Sequence, residues 1–153
     1  MFATAAEAEI ELLTSGSTLL DDADELTLDL LSEHEFAFAI SFLLNAWFAM
    51  VPRDCRAPEI DYARLERAFK ANLRRFEAVA RAATAEKLEK LFLDGAQPRL
   101  MLMLMSGFLE TVAKTEADLR PELSAEPVIL ALLKSVVDEL DGALRRGQGW
   151  RGG

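Results

Sequence analysis

Apolar residues recur every three or four positions along most of this chain, and the strict alternation of apolar and polar residues that marks strands is nearly absent. A helical repeat places the apolar residues on one side of each segment, and that side must be buried against another helix. The pattern therefore predicts an all-α bundle. It is clearest in a predicted helix over 59–83, whose apolar stripe consists of Tyr62, Leu65, Phe69, Leu73, Phe76 and Ala80.

Helix-capping residues divide the chain into about five to six helices. Ser32 and Glu35 have the spacing of a capping box in front of an apolar run, which separates the second predicted helix from the third. Gly147 ends the last periodic segment. We therefore expect a single helical domain over 1–146 and a flexible C-terminal tail over 147–153. The predicted helices cover about 3–13, 18–31, 33–51, 59–83, 98–118 and 127–146.

Two predicted helices, about 33–51 and 98–118, contain stretches that are apolar on every side, and we expect both helices at the centre of the bundle. The first contains the run Phe36–Val51, 16 residues without a charge. A membrane-spanning helix is the alternative there, but such a span needs about 20 apolar residues. The amphipathic helices also need a buried partner for their apolar stripes. We therefore predict a core helix rather than a span.

Charge is unevenly distributed along a chain with a net charge of −9. Residues 1–52 contain ten acidic residues and no lysine or arginine, whereas 53–81 contain eight basic residues against five acidic ones. The overall negative charge argues against direct binding to nucleic acid or to an anionic membrane. Cys55 is the single cysteine, and the first residues lack the basic segment of a secretory signal. We therefore expect a cytoplasmic protein.

The sequence offers few catalytic or cofactor-binding combinations. Glycine-rich phosphate-binding motifs and the G-x-S-x-G nucleophile motif are absent. His34 is the single histidine, and its neighbours Glu33 and Glu35 point in different directions on a helix, so the three do not converge on one metal ion. Cys55 lies between two arginines but has no base near it in the sequence. We therefore expect no catalytic residues, no metal and no cofactor.

The outer side of the predicted helix over 59–83 is rich in arginine. Arginine suits paired hydrogen bonds to carboxylate or phosphate groups, so the pattern indicates a partner-binding surface. The alternatives are an ordinary solvent-exposed face and neutralisation by the acidic helices of the same chain. The candidate partner-binding residues are Arg64, Arg67, Lys70, Arg74, Arg75 and Arg81.

Aromatic and methionine side chains of the two central helices indicate a candidate pocket for a small apolar ligand. The alternative is an ordinary core, because aromatic residues at helical spacing usually pack against one another. In the tail, Trp150 beside Arg151 is a docking segment, part of a disordered end, or a side chain folded back onto the bundle. The candidate pocket residues are Phe38, Phe42, Trp47, Met101 and Met105.

These observations favour a non-enzymatic protein–protein interaction module, such as an adaptor, an inhibitor or a small assembly subunit. Its partner would be another protein or a second copy of the chain, which makes a homo-oligomer one predicted form. A helical bundle that binds a small apolar ligand is the first alternative. An acidic inhibitor that mimics nucleic acid is the second.

Overall fold

The computed structural model describes residues 5–52, 56–82, 86, 89–91 and 94–151, apart from the side chains of 5, 6, 8, 80–82 and 148–151. Within these residues the chain is helical and contains no strand, which confirms the predicted all-α bundle. A short 3-10 helix, Ala117–Leu119, precedes the last α-helix. The α-helices are α1 (Ala5–Thr14), α2 (Leu19–Thr27), α3 (Glu33–Met50), α4 (Tyr62–Ala82), α5 (Pro98–Lys114) and α6 (Glu126–Arg151).

Four helix boundaries differ by three or more residues from those expected from the sequence. Helix α2 ends at Thr27 instead of about residue 31. Helix α4 begins three residues later, because the Asp61 carboxylate accepts a hydrogen bond from the Arg64 backbone N–H at 3.2 Å and so caps its first turn. Helix α5 ends at Lys114, before the 3-10 helix. Helix α6 continues past Gly147 and Gly149 to Arg151, since each glycine inside a helix costs only about 1 kcal/mol relative to alanine.

The predicted capping box at the start of α3 is confirmed. The Ser32 hydroxyl accepts a hydrogen bond from the Glu35 N–H at 3.1 Å, and Glu35 Oε1 accepts one from the Ser32 N–H at 3.0 Å. Glu35 Oε2 also accepts a hydrogen bond from the Glu122 N–H at 2.9 Å. One carboxylate therefore joins the start of α3 to the segment that leads into α6.

Helix α6 lies at the centre of the core. From Val128 to Val137 each of its residues is buried, and its most extensive packing is with α4, followed by α3. Helix α3 also packs against α1, α2 and α5, so its central position agrees with the sequence-based expectation. Helix α5 instead has one buried side, since Met103 and Leu109 are exposed. Its buried residues are Met101, Leu104 and Phe108.

The uncharged run of α3 is part of this core. Ala39, Leu43 and Ala46 are fully buried, and Phe42 and Trp47 are nearly so. Among the helical residues that the structure describes, none form a helix with both the length and the apolar character needed to cross a membrane. The packing therefore supports the interpretation of this run as a core helix.

Replacing Glu35 with glutamine is expected to lower the free energy of unfolding at neutral pH by about 1–3 kcal/mol, because the neutral amide has one acceptor oxygen for the two backbone N–H groups that the carboxylate accepts from. Partial burial raises the pKa of Glu35, but the hydrogen bonds from Ser32 and Glu122 outweigh it and hold the pKa below its ordinary value. The stabilisation is therefore present above the ordinary glutamate pKa of about 4.3 and is lost as the pH falls through the lower folded-state value.

Urea denaturation at neutral and acidic pH measures this difference. The matched control is Glu33→Gln, an exposed carboxylate in the same first turn of α3. It should change stability by no more than about 0.5 kcal/mol. Equal losses in the two variants, or a Glu35→Gln loss that persists unchanged at low pH, would contradict the assigned role.

Candidate functional site

The exposed side of α4 carries a row of basic residues. The opposite side packs into the core through Leu65, Phe69 and Phe76, as the sequence predicts. Because a helix cannot bury both sides against one neighbour, the basic side remains in contact with solvent. We call this row the basic strip; its described side chains are Arg64, Arg67, Lys70, Arg74 and Arg75, all exposed. The side chain of Arg81 lies outside the described residues.

The acidic residues that neutralise the strip are few and local. Arg64 Nε lies 3.5 Å from Asp61, and Lys70 Nζ lies 3.9 Å from Glu66, both pairs along the same surface. Arg67 donates a hydrogen bond to a backbone carbonyl one turn earlier. Neither Arg67 nor Arg74 forms a salt bridge with any residue that the structure describes. Within the described residues, Arg67 and Arg74 are therefore the members of the strip whose charge is not compensated by a salt bridge.

The acidic residues of α2 and its flanks form a separate surface. Partial burial, followed by the carboxylates of Glu25, Glu66 and Asp22, raises the pKa of the Tyr62 phenol at the start of α4. The negative surface therefore borders the beginning of α4 without pairing with the arginines further along it. Exposed members that have no salt bridge within the described part of the chain are Asp21, Asp24, Glu25, Asp29 and Glu33.

One member of the basic strip, Arg75, is tied into a polar junction between α4 and α6. Its Nη2 lies 2.7 Å from Asp94 Oδ2, and this contact holds the pKa of Asp94 below its ordinary value. Beneath this pair, Lys134 of α6 is 2% exposed. Lys134 Nζ donates hydrogen bonds to the Asp94 backbone carbonyl and, at 3.2 Å, to Asp138 Oδ2. The junction fixes the loop before α5 onto α6.

Gly95 allows this loop to approach Lys134 closely. Its φ of +144° lies in a region that residues with a side chain rarely adopt, and an added Cβ would lie 2.6 Å from Lys134 Nζ. Burial raises the pKa of the adjacent Asp138 carboxyl, while Lys134 opposes that shift. The loop before α5 therefore encloses the Lys134 amine, and the amine holds this loop against α6.

This junction and a second buried polar pair were not predicted from the sequence. Asn72 Nδ2 donates to Ser135 Oγ at 2.9 Å, and Ser135 in turn donates to the Ala131 carbonyl at 2.6 Å. For each of them the sequence contains a polar residue at a position that the helical pattern places among apolar residues. Lys134 is the one charged residue in the apolar run 127–137, and Asn72 occupies a helical position in line with Leu65.

The candidate ligand-pocket residues belong to the core cluster or pack against it. The rings of Phe38 and Phe42 lie 5.8 and 5.6 Å from the ring of Phe108 on α5. Trp47 and Met101 are buried, and Met105 is partly buried beside them. A ligand at these residues would have to displace packed side chains. The groove that the structure forms between α2 and α3 is lined by other residues.

Of the remaining candidates, only the His34 side chain lies within the described residues. Cys55 lies outside the described residues, and so does the side chain of Trp150 in α6. His34 Nε2 lies 2.7 Å from the Leu119 carbonyl, so its ring contacts the segment before α6. In the part of the chain that the structure describes, no cluster of three histidine, cysteine or acidic side chains is arranged to hold a metal ion.

Comparisons with protein-family models, curated proteins and solved structures find no match for this chain. Its functional interpretation therefore depends on its own residues. Among these, Lys134 and Asn72 take part in packing between helices. By contrast, the side chains of Arg67 and Arg74 are exposed to solvent and have no acidic partner among the described residues. The basic strip is thus the candidate functional site.

Gly95→Ala is expected to destabilise the protein by about 1–3 kcal/mol, because it combines backbone strain with a clash against the buried Lys134 amine. The control is Gly147→Ala, where an added Cβ meets no atom within 4 Å. Alanine there should be neutral or stabilise the helix by up to about 1 kcal/mol. Denaturant unfolding of both variants measures the difference. A Gly95→Ala variant as stable as the wild type would contradict the close approach.

Proposed function

We propose that this protein is a non-enzymatic protein–protein interaction module, such as an adaptor, an inhibitor or a small assembly subunit, that binds its partner through the basic strip. The observation that carries the proposal is the exposure of Arg67 and Arg74 without a salt bridge to any described residue. Exposed arginines of this kind can form paired hydrogen bonds with carboxylates that approach from outside.

The spacing of these arginines sets the geometry of the partner. Arg67 and Arg74 are seven residues apart on a continuous helix, so they lie on one side of it, about 10 Å apart along its axis. Arg81 continues the same spacing in the sequence. An acidic helix with carboxylates at matching seven-residue intervals would fit this row.

The partner is an acidic protein surface, either on another protein or on a second copy of this chain. The second copy would contribute the carboxylates of α2 and its flanks, since Asp21, Asp24 and Asp29 are exposed and lack salt bridges within the described residues. Opposite charges on two surfaces speed encounter and fix orientation.

The net charge of −9 disfavours phosphate-rich polymers as partners. A cytoplasmic location is also part of the proposal and relies on the single cysteine.

Charge reversal of Arg67 and Arg74 to glutamate tests the proposal. We expect the wild type to bind a synthetic helical peptide with glutamates seven residues apart, and the double variant to bind it on the order of tenfold more weakly. Raising the salt concentration from about 0.05 M to about 0.5 M should weaken wild-type binding in the same way. Adding Arg81→Glu to the double variant should lower the affinity for the peptide further. Fluorescence anisotropy measures binding, and circular dichroism checks that the variants remain helical.

The matched control reverses two exposed basic residues on α5, Arg99 and Lys114, and so changes the net charge by the same amount. Light scattering at low salt tests the second copy as a partner. If the control loses as much affinity as the strip variant, net charge rather than the strip governs binding. If the strip variant binds the peptide and self-associates like the wild type, the proposal is wrong.

A further inference from the structure

An open groove of about 240 Å³ lies between the end of α2 and the start of α3. Its walls include Leu28 and Leu31 from the connecting segment and Phe36 and Ile40 from α3. Phe36 and Ile40 are four residues apart and lie on the same side of the helix. The groove therefore brings apolar side chains of the connecting segment and of α3 together, with polar residues among them.

The apolar surface of the groove is only partly covered by the protein itself. Leu28 is 67% exposed, and Phe36 and Ile40 are half-buried. Leu31, at the base, is 9% exposed. The exposed apolar atoms would leave water if an apolar side chain entered the groove.

The charge around the groove is of one sign. Asp24 and Glu33 line it, both are exposed, and neither forms a salt bridge with a described residue. Residues 1–52 contain no lysine or arginine, so the two helices that form the groove supply no cation of their own. An occupant that is apolar at its centre and basic at its flanks would match both features.

The size of the groove favours protein side chains over a small molecule. A volume of 240 Å³ is below the range of about 300–1,000 Å³ typical of pockets that enclose a drug-sized ligand. An amphipathic helix that lies in an apolar groove inserts one or two large anchors and keeps its polar side in water. A groove of this size has room for such anchors.

We propose that this groove docks a basic amphipathic helix of another protein, with a leucine or phenylalanine inserted beside Leu28 and flanking lysines or arginines paired with Asp24 and Glu33. This surface differs from the basic strip in position and in the charge of its partner. The protein would thus hold an acidic partner on α4 and a basic helix between α2 and α3.

The probe is a fluorescent synthetic peptide of about 18 residues, long enough to form a helix, with leucines on one side and lysines on the other. A peptide with glutamate in place of lysine is its control. We expect the wild type to bind the leucine–lysine peptide and not the leucine–glutamate one by this route. Leu28→Ser should weaken binding on the order of tenfold, as should Asp24→Asn combined with Glu33→Gln.

The matched control for the apolar contact is Leu123→Ser, because Leu123 is 83% exposed and lies outside the groove. It should bind the peptide like the wild type. The Arg67→Glu and Arg74→Glu double variant should also bind it normally, so failure of the basic strip and failure of the groove are distinguishable. Both leucines are exposed, and circular dichroism should show that the serine variants remain folded.

Four results would overturn the groove assignment. No loss of peptide affinity in Leu28→Ser would show that lysines bind the acidic surface without using the groove. Equal loss in Leu28→Ser and Leu123→Ser would show that the effect is not specific to the groove. Equal binding of the two peptides to the Arg67→Glu and Arg74→Glu double variant, whose basic strip no longer attracts glutamates, would remove the role of Asp24 and Glu33. If Leu28→Ser instead abolishes self-association in light scattering and leaves peptide binding unchanged, the occupant is a second copy of the chain.

Discussion

Packing of α4 against α6 organises the bundle. Helix α6 is buried along the whole of 128–137, so it needs neighbours on every side, and α4 supplies the most extensive of these contacts. Leu65, Phe69 and Phe76 occupy the inner side of α4. The same packing leaves the other side of α4 in water, and that side carries the arginines. The fold therefore creates the basic strip as a consequence of burying the apolar stripe.

Buried polar groups give this interface a defined register. Asn72 of α4 meets Ser135 of α6, and one position away Lys134 holds the carbonyl of Asp94. A buried donor without an acceptor costs about 1–3 kcal/mol, so sliding one helix along the other would be costly. Arg75 belongs to the basic strip but is held by Asp94. Asp94 therefore holds one arginine of the strip, whereas the side chains of Arg67 and Arg74 can bind a partner.

Charge segregation gives the molecule two surfaces of opposite character. The basic strip runs along α4, whereas the acidic surface lies on α2 and the start of α3 and includes the rim of an apolar groove. Pairing between the two within one molecule is limited by geometry, because the acidic surface borders α4 at Tyr62 rather than along its arginines. Both proposals follow from this separation. Each surface would attract a partner that the other repels.

The sequence alone determined the helical class, the capping box at Ser32 and the buried stripe of α4, because these depend on residues three or four positions apart. It also located the arginines of the basic strip on the outer side of that helix. Tertiary structure decided which helix is central: the apolar start of α5 turned out to have one buried side, while α6 became the core. Only the fold brought Asp94 to Lys134, and Leu28 to Phe36 beside Glu33. These contacts depend on how separate helices and loops pack together, and the spacing of residues within one helix does not specify that packing.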